Sequence, residues 1–125
     1  MARQLVTVDC TVDSSGDAVV TTPDISGFIE AMRYVPDGSA PLATGWDAVI
    51  IGKTTGVAIL TVTNGGTSAV EFRPRAAIQD ITNVASLYES GEAVEDKIFV
   101  HGEPLTVTLD EGGASKTGKL FIWVS

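Results

Sequence analysis

Acid–base, nucleophilic or metal chemistry in this chain would have to start from one histidine, one cysteine and a scatter of carboxylates. His101 has Glu103 two residues on, the spacing at which a strand puts both on one face and a carboxylate can orient an imidazole. Gly102-Glu103-Pro104 reads as a turn, however, so the bland reading of His101 is a loop or sheet-edge residue. Cys10 sits among valines on the apolar face of an alternating segment and reads as buried and inert, since a reactive thiolate wants a basic, part-exposed setting. Zinc needs three or four ligands, and one His plus one Cys falls short. Asp9, Asp13 and Asp17 could gather around calcium, but they lack the dense run of oxygen ligands that a calcium loop uses. Asp110-Glu111, and Glu92 with Glu95 and Asp96, read as solvated charge. The segment Gly112-Gly113-Ala114-Ser115-Lys116-Thr117-Gly118 has glycines followed by Lys-Thr, yet not the order of a phosphate loop, and a strand pattern follows it instead of a helix. It reads as a hairpin. No catalytic residue, cofactor site or metal site is expected.

The residues that stand out are suited to contact. Arg73-Pro74-Arg75 flanks a rigid proline with two guanidinium forks, able to pair with carboxylates within the chain or on a neighbour. The last strand alternates Leu120, Ile122, Val124 against Phe121, Trp123, so both of its faces are apolar and one needs a cover beyond its own sheet. Trp46 and Trp123 read either as core residues or as interface anchors, since aromatics serve both, and Trp46 and Tyr88 are the aromatic residues in loops. The interface expected from these features comprises Arg73, Arg75, Tyr88, Phe121 and Trp123.

The elements that carry them follow from period-two alternation. Val6, Val8, Cys10 and Val12 share a face of a first strand from about Gln4 to Asp13. Further strands are read over Ala18–Thr22, Gly27–Val35, Asp47–Ile51, Val57–Asn64, Ala69–Arg73, Val94–Val100, Leu105–Leu109 and Lys119–Val124. Ser14-Ser15-Gly16-Asp17 and Asn64-Gly65-Gly66 read as hairpin turns. Arg75 to Gly91 breaks the rhythm. Ile78, Ile81, Ala85 and Leu87-Tyr88 fall roughly three to four apart, which predicts a short helical excursion within Gln79–Ser90. The expectation is one all-β domain over residues 1–125, an antiparallel sandwich or barrel of about nine strands. Its predicted core is Val6, Val8, Cys10, Val12, Ile50, Leu60, Val62, Leu105, Val107, Leu109, Leu120 and Ile122.

A net charge of −8 without a basic stripe argues against nucleic acid and anionic membranes as partners. A lone cysteine gives no intrachain disulfide. The opening Met1-Ala2-Arg3-Gln4 runs straight into strand pattern without an apolar leader, so synthesis in the cytoplasm is expected.

As a whole the chain resembles a family of small structural proteins from the virions of tailed bacteriophages. The carrying segments, in order, are Arg33-Tyr34-Val35-Pro36-Asp37-Gly38, Pro41-Leu42-Ala43-Thr44-Gly45-Trp46-Asp47, Thr55-Gly56-Val57-Ala58-Ile59-Leu60-Thr61, Gly66-Thr67-Ser68-Ala69-Val70, Arg73-Pro74-Arg75, Ser86-Leu87-Tyr88 and the Gly112–Gly118 stretch. The resemblance implies a virion component, a capsid decoration or cement protein without an active site. It would sit on the outer shell as a homotrimer and clamp neighbouring major capsid subunits. Two alternatives stay open: a tail or head–tail component, and a host- or carbohydrate-binding β-sandwich, for which Trp46 and Tyr88 would be the loop aromatics.

Overall fold

The computed structural model describes residues 3–125. Among them there are eleven strands and no helix: β1 (Gln4–Asp9), β2 (Ala18–Thr21), β3 (Ile25–Pro36), β4 (Trp46–Gly52), β5 (Ala58–Gly65), β6 (Val70–Phe72), β7 (Arg75–Ala77), β8 (Glu95–Lys97), β9 (Phe99–Glu103), β10 (Leu105–Asp110) and β11 (Gly118–Val124). One antiparallel sheet runs β1-β11-β3-β6, with β9 pairing the first residues of β3. A second runs β2-β10-β4-β5, and β7-β8 form a separate ribbon. The all-β expectation holds, and the short helix does not form.

The two larger sheets bury their alternating faces in one core. Val6 and Val8 of β1, Met32 and Tyr34 of β3, and Leu120 and Ile122 of β11 meet Ile50 of β4 and Leu105, Val107 and Leu109 of β10. Ten of the twelve predicted core residues are buried, while Leu60 and Val62 are half-buried because β5 is the edge of its sheet. A register irregularity opposite Ile50 and Ile51 turns Ile59 inward as well. Of its two readings Trp46 takes the core one, so it is not available as a loop aromatic. Its ring lies 4.9 Å from that of Tyr34, and its Nε1 donates to the Gly66 carbonyl at 2.8 Å. The Tyr34 hydroxyl in turn accepts from the Leu42 amide at 3.2 Å.

Turn chemistry marks where the chain reverses but not where it goes next. β4 and β5 form a true hairpin around Gly52–Gly56. The turn after β1 instead carries the chain to the other sheet, as do Asn64-Gly65-Gly66 after β5 and Gly112–Gly118 after β10. These three are crossings, not the expected hairpins. The glycines serve packing there: a Cβ on Gly65 would lie 2.2 Å from Trp46 Cε2, and one on Gly118 would lie 2.5 Å from Tyr34 Cε1. The first and last crossings are laced together, with Val12 donating to Lys116, Gly112 to Gly16 and Ser115 to Asp13 through the backbone.

The excursion is β structure, for a physical reason. Asp80 Oδ1 accepts from the Thr82 amide and hydroxyl and the Val84 amide, and Asn83 takes a positive φ of 64°. Those bonds close a tight turn and compete with a helix at its first residues. Beyond the turn, three passes of chain join in a ring of backbone bonds. Ile78 donates to Val94 at 2.9 Å, Val94 to Ser86 at 2.9 Å, and Ser86 to Ile78 at 3.0 Å. Periodic spacing of the apolar residues here places them on the outside of a knob rather than along one helix face.

Candidate functional site

Residues directly opposite one another in adjacent antiparallel strands share a face. On the outer face of the five-stranded sheet, Trp123 stands between Leu5 and Ala31, Phe121 between Thr7 and Arg33, and Lys119 between Asp9 and Val35. Leu120, Ile122 and Val124 occupy the buried face, so β11 is apolar on both sides, as its alternation requires. The outer side is uncovered: Trp123 is 38% exposed and Leu5 more so, with the Phe121 and Trp123 rings tilted 34° at 6.2 Å.

Beside Trp123 lies an open groove of about 470 Å³, lined by Glu30, Glu71, Arg73 and Lys97 among others. Arg73 Nη2 pairs with Glu71 at 3.0 Å, and Lys97 Nζ with Glu30 at 2.9 Å. Both pairs are solvent-exposed, and such pairs are worth about 0–1 kcal/mol, so a partner's carboxylate could replace them at little cost. Glu30 also accepts from Ser125, and these donors hold its carboxyl below the usual range. Arg75 does not line the groove, though it stands opposite Lys97 in the β7–β8 ribbon. Its Nη1 donates to the Pro74 carbonyl at 2.8 Å and more weakly to Glu30 at 3.4 Å, so this fork braces backbone at the root of the excursion.

Tyr88 stands on the excursion, apart from that groove. It belongs to a second exposed group with Ile78, Ile81, Val84 and Leu87, of which Ile81 is fully exposed. Sequence spacing put these residues in one segment. It did not show that all five would face solvent, because spacing alone does not say which side of a segment the rest of the protein covers.

The chemistry-bearing residues do not assemble. His101 is exposed and packs edge-on against Phe99, ring centroids 4.4 Å apart. Glu103 is buried and accepts from the Thr54 amide at 2.8 Å, the Thr55 amide at 3.0 Å and the Thr55 hydroxyl at 2.7 Å. It therefore clamps the β4–β5 turn. Cys10 is buried, and desolvation pushes its thiol up to about 12, an inert state. The three aspartates considered for calcium part company. Asp13 accepts from the Ser15 and Asp17 amides, and Asp9 pairs with Lys119 at 2.9 Å. The Asp17 carboxyl lies beside that of Asp110, and sharing a proton with that neighbouring acid raises it above the usual value. Asp47, Asp110 and Glu111 bring oxygens within 4.8 Å of one another, but proximity of exposed carboxylates does not make a cation site. Between the sheets a void of about 10 Å³ has room for at most one water.

The Glu103 clamp carries a pH dependence. The Thr55 and Thr54 donors hold its carboxyl below the ordinary glutamate value. A carboxyl depressed in the folded state stabilises above its unfolded value, and that contribution is lost as pH falls through the folded one. Glu103→Gln should lower the melting temperature at pH 7. The gap to the unmodified protein should narrow by pH 3, below the ordinary glutamate value of about 4.3. Melts at the two pH values check this, and a gap that stays constant contradicts the clamp.

No family model matches the chain, and no curated protein matches it. Among the solved structures it is similar to, two are matched over 99% of its length. One comes from work describing Bacillus endospore appendages as a family of disulfide-linked pili, at 20% identity and a TM-score of 0.47 over 87% of that chain. The other is FlhE, at 8% identity and a TM-score of 0.43 over 98% of that chain. At these values neither likeness carries a function across.

Proposed function

We propose that this chain is a non-enzymatic bacteriophage virion protein. In this reading it decorates the outer capsid surface as a β-sandwich, assembled as homotrimers, and cements contacts between major capsid subunits. The reading starts from the sequence resemblance. The observation that carries it further is the uncovered Leu5-Phe121-Trp123 face, together with an excursion whose large apolar side chains are exposed. Large apolar groups left in water at two places favour a protein that works by burying them against others. A cement protein must also bind many equivalent sites rigidly, and a two-sheet body spends little ordering entropy in doing so.

A tail or head–tail role is the second reading, favoured by the excursion, which projects as a ribbon of its own. The carbohydrate reading loses one of its two loop aromatics, since Trp46 is buried. A cryo-EM reconstruction of the virion encoding this chain tests the choice. Density for the two-sheet body on the shell is expected. Density on the tail would transfer the protein to the second reading, and its absence from the particle would overturn both.

A further inference from the structure

The excursion and the outer sheet face are complementary in charge as well as uncovered. Residues 76–96 contain Asp80, Glu89, Glu92, Glu95 and Asp96 and no lysine or arginine. The same acidic segment carries Ile81, Val84, Leu87 and Tyr88, all exposed. The outer face has the opposite balance within a chain of net charge −8. Trp123, Phe121 and Leu5 are bordered by Arg3, Arg33, Arg73, Lys97 and Lys119, against the acids Asp9, Glu30 and Glu71. Five of the eight basic residues of the protein thus surround one apolar patch.

We propose that the occupant of the outer sheet face is the knob of a second copy of this chain. Ile81, Val84, Leu87 and Tyr88 would cover Trp123, Phe121 and Leu5, while the acids of the same segment meet Arg33 and Arg73. Two different patches meet in such a contact, so it is heterologous: each copy offers one knob and one face. Repetition by rotation closes a ring, and without closure it grows a filament. The inference rests on the assembled state proposed above and names its interface, with the three-fold ring as the closed form. Like charges within the knob also discourage knob-to-knob pairing.

Heterologous pairing has a signature that symmetric pairing lacks. A knob variant, Ile81→Ser with Leu87→Ser, keeps an intact face. A face variant, Arg33→Glu with Trp123→Ser, keeps an intact knob. All four positions are exposed, so both proteins should fold, which melting curves check. In sedimentation equilibrium at low salt the unmodified protein should form trimers. Each variant alone should be monomeric, with at least a tenfold weaker association. Their equimolar mixture should form one-to-one dimers through the single intact knob and face. Raising the salt to about 0.5 M should weaken every association, since exposed charges are then screened within a few ångströms. An unmodified protein that stays monomeric, a variant that assembles normally by itself, or a mixture without dimers would each overturn the inference. A monomer that still coats capsids would overturn it and leave the decoration role standing; trimers that ignore capsids would do the reverse.

Discussion

Replacing Leu109 by alanine should remove about 2–5 kcal/mol of folding stability, a large share of the roughly 5–15 kcal/mol that holds a small protein folded. Leu109 is 3% exposed on β10, which lies between β2 and β4 and so has no edge at which neighbours could relax into the space. At about 4 °C per kcal/mol for a chain of this size, the melting temperature should fall by roughly 8–20 °C. Val19 is the matched control. It lies on β2 in the same sheet, 70% exposed on the opposite face, and pairs with Thr108. Val19→Ala should cost no more than about 0.5 kcal/mol. Leu60→Ala should fall between the two, because its side chain is only half-buried on the edge strand. Denaturant melts of the three variants check the order. Equal losses at Leu109 and Val19 would mean that the face assignment of this sheet is wrong.

That face assignment was legible in the sequence. Alternation over β1, β4, β10 and β11 needs only local pattern, because a strand with one dry face must place its apolar residues two apart. Cys10 and the two-sided apolar character of β11 were readable by the same rule. Which strand pairs with which was not. Asn64-Gly65-Gly66 has hairpin chemistry, yet Gly65 is needed because the Trp46 indole packs directly on its backbone. That contact is formed by residues nineteen positions apart, and no local pattern encodes it. Trp46 stayed open between core and contact for the same reason: its pocket is built by Tyr34, the Gly66 carbonyl and β5. In the excursion, a weak three-to-four spacing suggested a helix while Asp80 and Asn83 were already supplying the turn that prevents one. Of the expected interface residues, Phe121, Trp123 and Arg73 share one face or its groove, Tyr88 stands on the knob, and Arg75 braces backbone.

The larger functional effect should come from the outer face. On a capsid bearing many equivalent sites a trimer binds through three copies at once, so Trp123→Ala, which strips the broadest exposed ring from the contact between copies, weakens capsid binding with it, and aromatic anchors commonly carry more than 2 kcal/mol of an interface. A loss of that size is roughly thirtyfold in affinity per site. Arg73→Glu should weaken binding as well, because it removes the Glu71 pair and places two acids side by side at the groove. Both side chains are solvent-exposed, so thermal melts of the isolated variants should stay close to the unmodified protein while binding falls. A variant that loses folding and binding together would place its residue in the core of the fold instead.

The most direct measurement mixes the purified protein with capsids that lack it and follows both bound protein and the temperature at which the shells rupture. Saturable binding at a fixed number of copies per shell is expected, with rupture shifted to higher temperature and both effects reduced by Trp123→Ala and Arg73→Glu. Failure of the unmodified protein to bind, or binding that leaves the rupture temperature unchanged, would contradict a cementing role.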